Sequence, residues 1–134
     1  MKNLKKNNKG FSLVELIVVV LIIAIIAVAL APQVIKWVDQ ARKNTKENNS
    51  ATIKSAIQTC VAEVQSKTSI NATKITVKGT TVTLDTDTTV SEGVTFKSLI
   101  QAAIEGIKDD ANTYYYNVSG TGAVTESTTG ASGT

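Results

Sequence analysis

The feature that most constrains this chain is an uninterrupted run of sixteen apolar residues, from Leu16 to Ala31. In the wider stretch of 25 residues from Phe11 to Ile35, the only charged residue is Glu15. As an α-helix this stretch would be roughly 37 Å long, which exceeds the ~30 Å hydrocarbon core of a membrane. The sequence therefore predicts a membrane-spanning helix over residues 11–35, with the rest of the fold outside the membrane.

Charge is distributed unevenly along the chain, whose 134 residues carry a net charge of +3. Residues 1–10 contribute four lysines and no acid, residues 36–67 six bases and three acids, and residues 68–134 four bases and seven acids. The basic character belongs mostly to the first ten residues, so we expect no nucleic-acid partner. Lysines before the apolar run and none within it favour a cytoplasmic N-terminus.

Several classes of chemistry are excluded by the residue types present. The chain has no histidine and a single cysteine, Cys60, so we expect no enzymatic activity, no cofactor and no intramolecular disulfide. Cys60 lies on an apolar stripe and is expected to be a small buried hydrophobe. Asp85, Asp87, Asp109 and Asp110 are expected to be solvated loop acids, because they lack the ligand pattern of a calcium loop.

Two ordinary explanations compete for the apolar run. A secretory signal peptide would end at the small-x-small patterns of residues 27–31, but a cut after Ala31 would place Pro32 directly beyond the cleaved bond. A plain single-pass anchor fits the length and the flanking lysines equally well. Neither accounts for Glu15, because residues 10–35 contain no basic side chain to pair with it. Cleavage before Phe11 would create such a cation, an α-amino group four residues away.

Residues 9–16, KGFSLVEL, resemble the processing site of type IV prepilins, in which a short basic leader ends in glycine and is followed by phenylalanine. The resemblance implies that prepilin peptidase cleaves between Gly10 and Phe11 and methylates the amine of Phe11. It also implies that Glu15 pairs with this amine on an adjacent subunit during filament assembly. Pro32 stands where family members commonly place a helix-disrupting proline, so the helix there is expected to melt in the filament.

Beyond the apolar run, the patterning predicts one long helix and a small sheet. Apolar residues recur at helical spacing to about Ser66, and Pro32 predicts a kink or local unwinding of this helix. Alternating residues predict hairpins over 75–84 and 114–125, and a helical pattern covers 96–107. We therefore expect an α+β fold in which the second half of a long helix packs against a small antiparallel sheet, as the resemblance to pilins also implies.

Four segments follow from these patterns. Residues 1–10 are expected to be a leader peptide, residues 11–35 a transmembrane and filament-core helix, residues 36–126 a globular head, and residues 127–134 a flexible tail. Many family members from Gram-negative bacteria close the C-terminal region with a disulfide, which one cysteine cannot form. The resemblance is therefore to the Gram-positive type of pilin, held by strand pairing.

The function expected from the resemblance is structural. The chain would be a precursor held in the cytoplasmic membrane, then assemble with itself and with pilus assembly machinery into a helical homopolymer at the cell surface. Such fibres serve adhesion, twitching motility or biofilm formation. One alternative is a single-pass anchored or exported binding domain that does not polymerise. Another is a secretion pseudopilin or a competence-pilus subunit.

Overall fold

A computed structural model describes residues 10–107 and 112–128 of the chain. The chain divides into two compact units, Met1–Arg42 and Lys43–Thr134, here called the N-terminal and the C-terminal unit. Two helices and six strands follow in the order α1 (Leu13–Gln65), β1 (Thr73–Lys78), β2 (Thr81–Leu84), β3 (Thr89–Ser91), β4 (Val94–Thr95), α2 (Phe96–Ala103), β5 (Thr113–Val118) and β6 (Val124–Glu126).

In the N-terminal unit, the described residues are helical from Leu13 onward and their side chains are all exposed in the isolated chain. The most apolar stretch of α1 has a mean hydropathy of 3.4, and none of it is buried. A helix of this length and composition can cross a membrane. By its length and composition, the described helix therefore fits a membrane-spanning segment.

The sequence predicts a kink or local unwinding at Pro32. In the single chain there is no unwinding, and α1 is helical without a break through this residue. Proline has no N–H to donate to the carbonyl oxygen of Val28, one helical turn earlier, so one hydrogen bond is missing. The helix continues on both sides of Pro32, from Leu13 to Gln65. In the single chain, the proline therefore costs one bond without interrupting the helix.

The C-terminal unit is built on a four-stranded antiparallel sheet with the strand order β2-β1-β5-β6. Strands β1 and β2 form a hairpin whose turn contains Gly79, with a φ of 57° that favours glycine. Strands β5 and β6 form a second hairpin, and β1 pairs with β5 to join the two. Both hairpins predicted from the alternating pattern are confirmed.

The core of this unit lies between the sheet and one face of the two helices. Alternation along β5 buries Tyr114 and Tyr116 and turns Tyr115 to the opposite face of the sheet. The last third of α1 buries residues at helical spacing. The buried helical and near-helical side chains are Ile53, Ile57, Cys60, Val61, Val64, Phe96, Ile100 and Ile104. The predicted α+β arrangement is therefore confirmed.

The region between β2 and α2 contains two short strands that the sequence patterns do not predict. Strands β3 and β4 form a short antiparallel pair whose turn contains Gly93, with a φ of 74°. Helix α2 then begins with a capping box, in which the Thr95 hydroxyl accepts from the Ser98 N–H and the Ser98 hydroxyl from the Thr95 N–H. It ends at Ala103 instead of continuing to Ile107.

The beginning of the predicted flexible tail belongs to the sheet. The N–H of Ser127 donates to the carbonyl oxygen of Tyr115 at 2.8 Å, which extends the pairing of β6 with β5 by one residue. Residues 129–134, which make up most of the predicted tail, lie outside the described residues, as do Asp109 and Asp110.

Candidate processing and assembly site

The chain enters α1 through a short non-helical segment formed by Gly10 and Phe11. The Phe11 side chain is 83% exposed, and a Cβ atom added at Gly10 would meet nothing within 4 Å. Gly10 also has no positive φ, so neither backbone geometry nor packing requires a glycine at this position. Both residues that flank this peptide bond are exposed in the described part of the chain.

Helix α1 begins with a capping box formed by Ser12 and Glu15. The Ser12 N–H donates to Glu15 Oε2 at 2.8 Å, and the Glu15 N–H donates to Ser12 Oγ at 3.2 Å. This reciprocal pair satisfies two backbone donors that the first helical turn leaves without partners. The sequence carries the signal for this cap as S-x-x-E before an apolar run, so Glu15 has a role in its own helix besides its charge.

The Glu15 carboxylate lies in a shallow apolar cleft of about 370 Å³ on one face of the helix. The cleft is lined by Phe11, Val14, Glu15, Val18 and Val19, which follow helical spacing. Glu15 is the only acidic or basic residue among them. When lipid or a neighbouring chain covers this face, the carboxylate attracts a cation strongly, because the charges are then poorly screened by water. The site can therefore bind an amine.

The structure brings Gly10, Phe11 and Glu15 together at the beginning of α1, but it does not place Pro32 with them. Pro32 follows Glu15 by 17 residues on the same helix. At 1.5 Å per residue the two are roughly 25 Å apart. Pro32 therefore lies outside the cleft that contains Glu15.

Other residues considered in the sequence have structural roles in the C-terminal unit. Cys60 is buried, and this burial raises the pKa of its thiol. The nearby charge of Glu63 raises this pKa further, by a smaller amount. Asp87 Oδ1 accepts from the N–H groups of Thr88 at 2.9 Å and Lys97 at 3.0 Å, which ties the loop to the start of α2. Within residues 10–107 and 112–128, no group of three or more histidine, cysteine or acidic residues could hold a metal.

Comparisons with known proteins identify the family. The profile described as the prokaryotic N-terminal methylation motif matches residues 5–31. Over 115 residues the chain is 32% identical to prepilin peptidase-dependent protein A of Clostridium perfringens (strain 13 / Type A). The aligned region covers 85% of this chain and 79% of that protein. The chain belongs to the type IV pilin-like proteins. No solved structure matches it.

This pilin-like chain is thus a structural protein of the pilin or pseudopilin type. The matched motif begins before Gly10, includes every residue that lines the Glu15 cleft, and ends at the last residue of the apolar run. Together with the exposed apolar helix, it fits a membrane-anchored precursor. The similarity to the Clostridium protein extends beyond the motif into the sheet-bearing unit, because 115 aligned residues cannot be accommodated in residues 5–31 alone.

Proposed function

We propose that this pilin-like chain is the structural subunit of a type IV pilus. Prepilin peptidase removes residues 1–10 by cutting after Gly10 and methylates the new amine of Phe11. The mature chain then assembles with itself, through the pilus machinery in the membrane, into a surface fibre. The observation that carries the proposal is a lone carboxylate, Glu15, beside the exposed Phe11 on a helix segment that is apolar all round.

Cleavage supplies the cation that the precursor lacks. Before cleavage, the nitrogen of Phe11 is a neutral amide, and no basic side chain lies within residues 10–35. Afterwards it is an amine, and a methylated amine still carries a positive charge. Glu15 Oε2 already accepts from the Ser12 N–H, but a carboxylate has further acceptor sites for an incoming amine. Glu15 can therefore cap its own helix and neutralise a neighbour's Phe11 simultaneously.

The pairing supplies specificity that apolar contacts cannot supply. Lipid tails are as apolar as the surfaces of these helices, so the hydrophobic effect contributes little free energy to helix association within a membrane. Close packing and polar contacts therefore determine which helices associate. An unpaired carboxylate at the centre of a membrane helix costs about 2.5–3.5 kcal/mol on insertion scales, and one near the end, as Glu15 is, costs less but still favours a partner. Because each subunit carries one Glu15 and one Phe11 amine, their pairing favours one axial offset between neighbours. The offset then repeats along the fibre.

The membrane topology follows from the same residues. The lysines of the leader hold the N-terminus in the cytoplasm, and α1 carries the C-terminal unit to the other side of the membrane. Extraction from the membrane during assembly places this unit on the fibre surface. There it serves adhesion, twitching motility or biofilm formation. The motif match and the peptidase dependence named for the Clostridium relative support processing by the same kind of peptidase.

The decisive variant is Glu15→Gln, because glutamine keeps the capping box while removing the charge. We expect this variant to insert in the membrane and to begin α1 normally. We also expect at least a ten-fold lower yield of fibres in material sheared from cells. Immunoblots of sheared and membrane fractions, with electron microscopy of the sheared material, measure both quantities.

Glu47→Gln is the matched control, since Glu47 is an exposed acid of the same helix and its carboxylate lies 4.0 Å from the Lys43 ammonium. It should leave fibre yield unchanged. A normal yield from Glu15→Gln would contradict the proposed pairing. Absence of long fibres from cells that express the unaltered chain would instead indicate a pseudopilin.

A further inference from the structure

Three residues that follow the apolar run are not used by the assembly proposal. Lys36, Trp37 and Arg42 lie on α1 within the N-terminal unit, and we call them the boundary group. All three are exposed, and Trp37, the only tryptophan of the chain, is 70% exposed. Within the described part of the chain, neither Lys36 nor Arg42 makes an ion pair. Nothing in the fold of the single chain therefore explains these side chains.

The boundary group surrounds the helix instead of forming one face. Each residue of an α-helix is rotated by about 100° from the one before. Trp37 therefore lies about 100° around the axis from Lys36, and Arg42 about 240°. Along the axis the three residues span only about 9 Å. A globular partner would contact one side of such a helix, whereas a membrane surface encloses it on all sides. The arrangement therefore fits lipid better than a protein.

The chemistry of the boundary group fits the headgroup layer of a membrane. The indole of Trp37 combines an apolar body with an N–H donor, and tryptophan is enriched at membrane–water interfaces for this reason. Lysine and arginine can lay their apolar stems along lipid while their charged ends reach the phosphates. Residues 36–46 contain four bases and one acid, so this part of the sequence favours a negatively charged surface.

The distance to the other end of the apolar run agrees with this placement. Trp37 follows Glu15 by 22 residues on α1, so the two lie roughly 33 Å apart along the axis. The hydrocarbon core of a membrane is about 30 Å thick. When Trp37 lies among the headgroups at one boundary of this core, Glu15 lies at the opposite boundary. The Glu15 carboxylate can then keep contact with water until assembly begins.

We propose that the boundary group binds the headgroups of anionic phospholipids and thereby sets the depth of the precursor in the membrane. The ammonium of Lys36 and the guanidinium of Arg42 bond to phosphate oxygens, and the Trp37 N–H donates to an oxygen of the headgroup layer. The proposal goes beyond fibre assembly. It rests only on a membrane-anchored chain, so it holds for a pilin and for a pseudopilin.

The test uses the fluorescence of the full chain in vesicles, which comes from Trp37 as the only tryptophan. Phospholipids brominated at one depth of their acyl chains quench a tryptophan that lies at that depth. We expect at least two-fold stronger quenching from bromines near the glycerol than from bromines near the chain ends. In mixed vesicles of equal composition, brominated phosphatidylglycerol should quench at least two-fold more strongly than brominated phosphatidylcholine.

A double variant separates the basic side chains from the tryptophan. Lys36→Gln with Arg42→Gln should quench equally with both brominated lipids, because it removes the two charges beside Trp37 and keeps the probe. The matched control is Lys78→Gln with Lys97→Gln, which removes two charges from exposed positions of the C-terminal unit. This control should retain the preference for phosphatidylglycerol.

Three results would overturn the proposal. The first is quenching by bromines near the chain ends that equals or exceeds quenching by bromines near the glycerol. The second is an undiminished preference for phosphatidylglycerol in the variant without Lys36 and Arg42. The third is quenching that appears only when the chain is diluted in lipid, because a second copy would then cover Trp37.

If the double variant does not insert, the unaltered chain in 1 M NaCl decides, because this salt screens the attraction between the basic residues and the lipid. Loss of the preference for phosphatidylglycerol supports the proposal, and full retention contradicts it. Because the chains in vesicles are unassembled, the result is independent of whether pili form.

Discussion

The first and last parts of α1 have the same backbone but opposite relations to their surroundings. Ile22, in the apolar run, is 50% exposed, whereas Ile57, near the end of the helix, is 0% exposed. Near Ile57 the apolar residues form one stripe, which the sheet and α2 cover, and polar residues occupy the other faces. Near Ile22 every face is apolar, and no part of the described chain covers any of them.

The two parts of α1 therefore have different roles. The stripe near Ile57 specifies contacts within the chain, so it stabilises the fold. The surface near Ile22 specifies an environment outside the chain, first lipid and, on our proposal, the neighbouring subunits of a fibre. Glu15 belongs to the second kind, although it also caps the helix that carries it.

The largest expected effect is on the free energy of unfolding, and it is measured by substituting each of the two isoleucines. Ile57→Ala should destabilise the C-terminal unit by about 2–5 kcal/mol, because it leaves a cavity in a closed core. Ile22→Ala removes the same atoms from an exposed surface, so it should leave the unfolding of that unit unchanged. Thermal unfolding of both variants in micelles, followed by near-ultraviolet circular dichroism of the tyrosines, measures the difference. Equal midpoints would show that the two parts of α1 do not differ in this way.

A smaller loss of stability is expected at alkaline pH, where ionisation of Tyr116 should destabilise the C-terminal unit. Burial, and to a lesser extent the charge of Glu126, raises the pKa of Tyr116 above its ordinary value of 10.0, although a hydrogen bond from Ser50 opposes the shift. The folded state therefore holds this proton more tightly than the unfolded state, so its contribution to stability is complete below pH 10 and is lost as the pH rises.

Denaturant unfolding measured from pH 8 to 11 should show this loss. Cys60 should add an earlier decline above pH 9, because burial raises its pKa from 9.0 in the same direction. Tyr116→Phe also removes the hydrogen bond from the tyrosine hydroxyl to the Ser50 carbonyl oxygen, at 2.9 Å, so it should cost about 1 kcal/mol at neutral pH. The free energy of unfolding of Tyr116→Phe should decline less near pH 10 than that of the unaltered chain. An unchanged pH profile in this variant would exclude Tyr116 as the source.

The smallest effect is local to the beginning of α1. Ser12→Ala removes the hydroxyl that accepts from the Glu15 N–H, so it should weaken the first helical turn by about 1 kcal/mol. Amide hydrogen exchange of residues 13–16 in micelles should become several-fold faster, with no change in the C-terminal unit. If exchange is unaltered, the capping box contributes nothing to the helix.

The sequence predicted the parts of this protein whose signals are local. The long helix follows from apolar spacing, and both hairpins of the main sheet follow from alternation and a turn glycine. The small β3–β4 pair was missed because strands of three and two residues are too short to show a period. The pairing of β1 with β5 was not predicted, because it joins segments whose separation along the chain leaves no local signal.

The candidate site shows the same limits. The motif around Gly10 and Glu15 is visible in the sequence, and the family profile matches it over residues 5–31. The cap formed with Ser12 was overlooked, although its spacing was present. Unwinding at Pro32 was predicted from the loss of one hydrogen bond, but the neighbouring turns retain the helix.

The central claim is that the apolar part of α1 assembles after cleavage at Gly10. The most direct measurement is the intact mass and N-terminal sequence of the protein sheared from the surface of cells. Our account predicts fibres made of a chain that starts at a methylated Phe11. A chain that starts at Leu30 or Pro32 would indicate an ordinary secreted protein. A chain that retains Met1 and stays in the membrane would contradict processing and leave Glu15 without its proposed partner.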